Sequence, residues 1–341
     1  MSRTRAAVSI KDVAAAAGVS TATVSRVLSP TRPDIPIRPS TRERVENAIE
    51  ELGYRPNDLA RALLQQRSSA IGLVLPDISN PYYPPLVRAV EDVASRHGYR
   101  VVLCNTDRQQ EKAAAYLEVL VKTRVDGIVI AGGGTDLPPE TLVLRTYQTK
   151  IVTVGRHETD HPSVRIDNRA AQRSATEHLT ALGHRCIGYI GGPADSRTAQ
   201  DRLAGHRDAL RDAGIEPDGE MVSQGGFDEA GGYQAARELL RRDDRPTALL
   251  CANDRAAFGA YAALVDAGLS VPRDMSVIGF DDVPMATYVR PTLTTVSVPT
   301  YELGAHATDI LLAAIDGEER PAPVVLPTTL QIRDSVAAPP S

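Results

Sequence analysis

The sequence predicts an all-α helix-turn-helix head followed by a two-lobed α/β body, each lobe a doubly wound parallel sheet. Three observations predict it. Residues 9–28, SIKDVAAAAGVSTATVSRVL, break into two short helices around a glycine turn. From Ala70 onward, apolar runs alternate with amphipathic helical stretches. That alternation then starts again near Cys186, as a second series of similar length.

In the head, the alanine-rich segment Ile10 to Ala17 stops at Gly18, which suits the positive φ that ends a helix. Ser20 is placed to cap a second helix from Thr21. Val13, Ala14, Ala17, Val19, Val24 and Val27 are the small apolar residues that lock the two helices together. Thr21, Ala22, Ser25 and Arg26 are left to face outward, which is how a recognition helix meets the major groove. The next stretch, SPTRPDIPIRPS, holds four prolines and reads as an extended loop. A third helix, TRERVENAIEELGY, follows with Ser40 or Thr41 as cap, Val45, Ala48, Ile49 and Leu52 on one face, and Gly53 at its end. Residues 56–66 have good helix formers and Asn57 as a cap, but fewer than three turns, a length that is marginal alone in water.

In the body, AIGLVL, RVVLCN, GIVIAG and IVTVG alternate with helices such as PPLVRAVEDVASRHG. CIGYIGG, TALLCAND and SVIGFDD repeat the pattern. Such alternation builds parallel sheets covered by helices on both faces. Several strands end in polar residues: DISNPYY after the first, PADSRTAQDR after CIGYIGG, Asn253-Asp254 and Asp281-Asp282. Parallel sheets bind ligands beyond these carboxyl ends, so a pocket there is expected.

Composition bounds the reading. An apolar fraction of 42% with 24% charged residues is ordinary for a globular protein, and no apolar run reaches the length of a membrane span. The arginine-bearing N-terminus has no apolar core before Asp12, which argues against a secretory signal. Cys104, Cys186 and Cys251 are odd in number and far apart, which fits buried residues of a reducing compartment better than a disulfide framework or a zinc site. The net charge of −5 divides unevenly. Residues 1–68 carry eleven Lys or Arg against seven Asp or Glu, and the rest carry 27 against 36. A basic head on an acidic body keeps phosphate attraction local.

The sequence offers little to catalysis. His157-Glu158-Thr159-Asp160-His161 matches the H-E-x-x-H zinc pattern, but it follows a strand and runs into Pro162, with no helix to align the histidines. Gly132-Gly133-Gly134 is not a dinucleotide fingerprint. No catalytic residue, metal or cofactor is expected.

The head resembles the N-terminal signature of the LacI/GalR family of bacterial transcriptional regulators through three strings. They are Asp12-Val13-Ala14, Ala17-Gly18-Val19-Ser20 and Thr23-Val24-Ser25-Arg26-Val27-Leu28. The body resembles that family's periplasmic-binding-protein-like effector domain as far as Asp334. The proline-rich loop is about three residues longer than the family pattern. The resemblance implies a head over 1–55, a hinge over 56–68 and an effector and dimerisation domain over 69–334. Its lobes would comprise about 69–167 with 299–325, and 168–298 with 326–334, leaving 335–341 as a frayed tail. It implies a cytoplasmic homodimer on palindromic double-stranded operator DNA, nucleoid-associated through that binding, with no membrane partner.

Arg26 would read guanine, with Thr21 and Ala22 shaping adjacent positions. Ser9, Ser20, Thr23 and Ser25 would hold phosphates, with Ser29 and Asn57 completing the DNA-facing set. Leu63 would enter the minor groove as a wedge. In the cleft, Arg202, Asn253 and Asp281 would hold ligand hydroxyls or ring atoms, Tyr82, Thr198 and Phe227 would wall the pocket, and Arg156 and Asp167 would stand on facing loops. Gly155 replaces the acid that some sugar-binding members carry after IVTV, and Arg156 follows it, which favours a ligand bearing a negative group. A sugar, sugar derivative or nucleoside is the expected effector. The competing class is a small-molecule binding module or sugar-handling enzyme not acting on DNA.

Replacing Arg26 by Ala should weaken operator binding by about 1–3 kcal/mol and relax one operator position. Binding to a set of single-base operator variants measures this, and an unchanged base preference would remove Arg26 as the reader.

Overall fold

The computed structural model describes residues 8–28, 37–54, 67–132, 149–157, 160–318 and 323–340. The chain forms two compact units, 1–68 and 69–341.

The first unit is helical. Helices α1 (Ile10–Ala17), α2 (Thr21–Leu28) and α3 (Pro39–Leu52) bury Val13, Ala14, Ala17, Val24, Val27, Val45 and Ala48 against one another. Gly18 closes α1 at φ 62° in the left-handed region, where a side chain would be strained. Ser20 Oγ accepts from Thr23 N at 3.2 Å, capping α2. The third helix starts earlier than its sequence suggested. Pro39 takes the first turn, where its missing N–H costs nothing, and Arg38 stands at the N-cap without a side-chain hydrogen bond.

The second unit holds two six-stranded sheets. The first is built from β1 (Ala70–Leu75), β2 (Arg100–Asn105), β3 (Gly127–Ala131), β4 (Lys150–Val154), β5 (Ser163–Ile166) and β11 (Val324–Leu326), in the order β11-β5-β4-β3-β1-β2. The second is built from β6 (Ile187–Gly191), β7 (Val222–Gln224), β8 (Ala248–Cys251), β9 (Ser276–Asp281), β10 (Thr294–Ser297) and β12 (Thr329–Gln331), in the order β12-β10-β9-β8-β6-β7. Read from β2 and from β7, the two sheets have the same winding. In each, the first strand of the series lies inside the second and the third continues the other way, so both have a switch point beside their first strand.

All pairings are parallel except β10 with β12. The antiparallel edge departs from the all-parallel expectation. Strand β12 enters this sheet directly from β11 of the other one.

Helices α4 (Tyr83–Arg96), α5 (Gln110–Lys122) and α10 (Thr300–Ile315) cover the first sheet. Helices α6 (Asn168–Ala181), α7 (Arg197–Asp212), α8 (Glu229–Leu240) and α9 (Asp254–Asp266) belong to the second. The chain thus changes lobe after β5, after β10 and after β11. Strands β3, β8 and β9 are buried along their whole length, as sheets covered on both faces require.

The C-terminal residues are bonded to the second sheet, contrary to the frayed tail that VAAPPS suggests. Fully buried Ser335 accepts from Thr294 N at 2.8 Å and donates to the Val277 carbonyl at 2.6 Å. Ala337 N donates to Ser276 Oγ at 3.1 Å, and its carbonyl takes a hydrogen bond from His184 Nε2 at 2.9 Å. Small side chains permit this, because they let the backbone lie directly along the strand edge. Ser335→Ala should cost about 1–3 kcal/mol by leaving buried backbone groups unpartnered. Urea unfolding of the full chain measures it, and an unshifted midpoint would show that the segment adds nothing.

Candidate functional site

The first candidate surface is the outer face of α2. Thr21, Ala22, Ser25 and Arg26 are exposed, because the packing of Val24 and Val27 turns them outward. Thr23 is half-buried, and its hydroxyl lies 3.0 Å from Ser20 Oγ. Ser20 and Thr23 therefore bond to each other at the helix start, which engages two expected phosphate contacts in capping. Ser9 is engaged likewise, since its amide and hydroxyl both donate to Asp12 Oδ2, at 2.8 and 2.7 Å. These bonds hold the Asp12 carboxyl below its ordinary range. Ser29, Asn57 and Leu63 lie outside the described residues.

The second candidate site is a cleft between the carboxyl ends of the two sheets, with a cavity of about 70 Å³. Of the expected ligand contacts, Tyr82, Thr198, Arg202, Phe227, Asn253 and Asp281 line it. Its centre is Arg202 on α7, which is buried and has a partner at each guanidinium nitrogen. Nε donates to Asn168 Oδ1 at 2.9 Å, Nη1 donates to the Ala252 carbonyl, and Nη2 pairs with Asp281 Oδ1 at 3.6 Å. One face stacks on Phe280 at 3.5 Å.

Asp281 stands at the end of β9 with φ 117°, a strained position for a residue with a side chain. Burial pushes its pKa up to about 7, against the opposing pull of Arg202. Behind it, fully buried Asp254 is raised well above the carboxylate range, by burial first and then by Asp281. Thr295 Oγ1 and Val283 N donate to its two oxygens.

Asn253 caps α9, accepting from Ala256 N at 2.9 Å, and donates to the Phe227 carbonyl at 3.2 Å. Phe227 sits close to Gly192, where a Cβ would come within 2.5 Å of the ring. Only glycine admits the aromatic wall at this depth. Tyr82 and Tyr83 meet edge to face on the opposite wall, and burial pushes the Tyr83 hydroxyl up to about 12.

Two expected contacts are elsewhere. Arg156 stands outside the cavity lining and bridges the lobes by pairing with Asp201 on α7. The reading that set its charge beside the ligand is corrected, because a nearer acid takes it. Asp167 is exposed and accepts from Ala170 N at 2.9 Å as the N-cap of α6. It borders a separate hollow of about 400 Å³ beside residues 325–328. A helix begins at residue 168, and its unpaired amides claim the nearest carboxylate.

Conversely, the sequence reading missed Asn80, Tyr83, Arg108, Arg165 and Asn168, all of which line the cavity. A signal was present, since each follows or ends a strand of the first lobe or the β5 crossover. Strand β5 and the register of its ends became visible only in the sheet.

Around the rim, Arg255 pairs with Glu229 at 2.6 Å and reaches Asp77 of the other lobe at 3.5 Å. Arg108 lies over the Phe227 ring at 5.1 Å. His157 and His161 fall in the non-helical connection from β4 to β5, and no described group of His, Cys, Asp or Glu is arranged to hold a metal ion.

Directly behind the cleft, one turn along α7 from Arg202, His206 stacks on Tyr189 and shares a 3.1 Å hydrogen bond with Thr176. Burial, aided by Arg207, pushes its pKa down to about 3. The unfolded imidazole titrates near 6.5, so the unfolded chain takes up the proton first and stability falls as pH drops from 6.5 toward 3. The loss approaches about 1.4 kcal/mol per pH unit. His206→Gln should flatten that part of the profile in denaturant titrations between pH 7 and 4, and an equally steep mutant profile would assign the slope to other groups.

Comparison with known proteins covers nearly the whole chain. Residues 9–57 match the model of bacterial regulatory proteins of the lacI family. Residues 68–334 match that of periplasmic binding proteins and the sugar-binding domain of the LacI family. The HTH-type transcriptional regulator RegA of Clostridium saccharobutylicum is 40% identical over 93% of this chain and 95% of its own. The lac repressor dimer bound to operator and an anti-inducer superposes with a TM-score of 0.87, with 30% identity over 97% of this chain and all of that one. A CelR–cellobiose complex matches at 0.74 with 34% identity, over 96% of this chain and 99% of its own.

Proposed function

Since the chain belongs to the LacI family of bacterial regulatory proteins, a family of DNA-binding transcription regulators and not of enzymes, we propose that it is a repressor. It binds a palindromic operator as a homodimer and is switched by a sugar, sugar derivative or nucleoside in the interlobe cleft. The observation that carries this reading is the bare outer face of α2, where Arg26 is exposed beside Thr21, Ala22 and Ser25 on a helix held by its other face. A long cation flanked by short side chains can approach base edges closely. No described helix is long and apolar enough to cross a membrane.

Dimerisation is supported by apolar residues left on the surface of both lobes. Val102 and Leu103 on β2 with Val119 on α5 in one lobe, and Val265, Met285 and Tyr288 in the other, are exposed. Exposed large apolar side chains gain free energy when a partner buries them.

The switch follows from the rim. Arg156–Asp201, Arg255–Asp77 and the Arg108–Phe227 stack all join one lobe to the other. A ligand between the lobes changes which of these contacts form, and a lobe arrangement it prefers is populated in proportion to that preference. A coupling of about 1–3 kcal/mol is typical.

Selection of bound duplexes from a random pool by the full chain should return a palindromic sequence, with affinity falling steeply as salt rises. Deleting residues 1–68 should abolish that binding and leave ligand binding intact. No sequence preference at either of two salt concentrations would overturn the proposal in favour of a binding module not acting on DNA.

A further inference from the structure

The cleft's charge and hydrogen-bonding capacity are unbalanced. Its lining holds Arg108, Arg165 and Arg202 against one carboxylate, Asp281. Arg202 and Asp281 are paired to each other, and each nitrogen of Arg202 has a protein partner. The other two arginines differ. Among the described residues neither the Arg108 nor the Arg165 side chain makes a hydrogen bond or an ion pair, and the Arg108 guanidinium lies over the Phe227 ring.

The acids that could neutralise them are already engaged. Asp107, next to Arg108, is bonded by Asn105 and by Lys112. Asp167, two residues from Arg165, caps α6. Asp107 and Arg108 both have left-handed φ, 51° and 60°, so a tight turn at the end of β2 places Arg108 while its neighbour's charge is spent on Lys112.

The amides tip the same way. The side-chain oxygen of Asn80 accepts from Tyr82 N, that of Asn168 from Arg202, and that of Asn253 from Ala256 N. With those acceptors engaged, the wall presents mainly donors. A neutral polyol brings hydroxyl donors that need acceptors, whereas an oxyanion brings acceptors only, and a partly buried cation gains most from an anionic partner.

We propose that the effector carries an oxyanion, a phosphate ester or carboxylate on a polyhydroxylated compound, held between Arg108 of the β2–α5 turn and Arg165 of β5. The assignment rests on the reading of the cleft as the effector site. It replaces Arg156 with two residues that the fold brings to the same cavity. Arg165 and Arg108 form the anion end, while the aromatic walls and the Arg202–Asp281 pair form the end that meets the polyol.

Thermal melting of the full-length protein tests this, with inorganic phosphate against sodium chloride at equal ionic strength. Matched sets of a pentose or hexose, its monophosphate and its aldonate follow. Phosphate should raise the melting temperature saturably, and in at least one set an anionic member should bind at least about tenfold more tightly than the neutral sugar, the strength of one charge-assisted contact. Preference for the monophosphate or for the aldonate identifies which oxyanion is used.

Arg165→Gln and Arg108→Gln should each weaken that binding by about tenfold or more, and Arg165→Lys should restore part of it. Arg108 is exposed, so its substitution keeps the test valid even where Arg165 variants fold poorly. No saturable response above chloride, a response unchanged in both glutamine variants, or tighter binding of the neutral sugar would overturn the proposal. If a neutral sugar alters operator binding, the anionic assignment fails and the ligand-controlled repressor stands. If no sequence-preferring operator binding occurs, the repressor reading fails independently of the anion result.

Discussion

The buried guanidinium of Arg202 joins four elements that the chain makes far apart. It reaches Asn168 at the start of α6, the Ala252 carbonyl after β8, Asp281 at the end of β9 and the Phe280 ring, while its own backbone lies in α7. A charge held at 5% exposure is tolerable only when it is paired and hydrogen-bonded in this way. Removing one partner of a buried pair leaves an uncompensated charge, at a cost of about 3–5 kcal/mol. The ends of β8 and β9 and the start of α6 are therefore tied to the same point. The strained φ of Asp281 and the raised pKa values of Asp281 and of Asp254 behind it accompany that burial.

The repeated winding explains why the site lies where it does. Each sheet opens at the switch beside its first strand, and the two open ends face one cleft because the chain crosses between lobes three times close together. Those crossings are short, which couples any change in the cleft to the relative placement of the lobes. The rim contacts add to this coupling, since each of Arg156, Arg255 and Arg108 reaches a partner in the opposite lobe. Exposed pairs of this type are individually weak, about 0–1 kcal/mol, and suit a contact that must form and break.

Much of the fold was legible in the chain. The helices of the head and the sheets' central strands were readable because their signals are local. A glycine at a helix end, a serine before one and runs of β-branched residues each act through neighbours a few positions away. Tyr82, Thr198, Arg202, Phe227, Asn253 and Asp281 were likewise legible, since each follows a recognisable strand and corresponds to a family position. Less legible were the segments whose structure depends on a distant partner. VAAPPS has no intrinsic order, and the serine at 335 becomes fixed only because the second sheet offers it Thr294 and Val277. The start of α3 and the direction of β12 also depended on packing rather than on local pattern.

By itself the sequence determined a helical reader joined to a doubly wound, two-lobed body, together with the residue types at its strand ends. Hydrophobic periodicity, capping residues and family strings are properties of short stretches, so they survive without coordinates. Only the tertiary structure decided which charges remain available. Arg156 and Asp167 are sequence neighbours of the cleft, yet one is claimed by Asp201 and the other by the amides of α6. Arg108 and Arg165, silent in the sequence, reach the cavity with no acid spared for them. Charge neutralisation depends on distance in space, and that distance is set only when the strands take their order and the helices close over them.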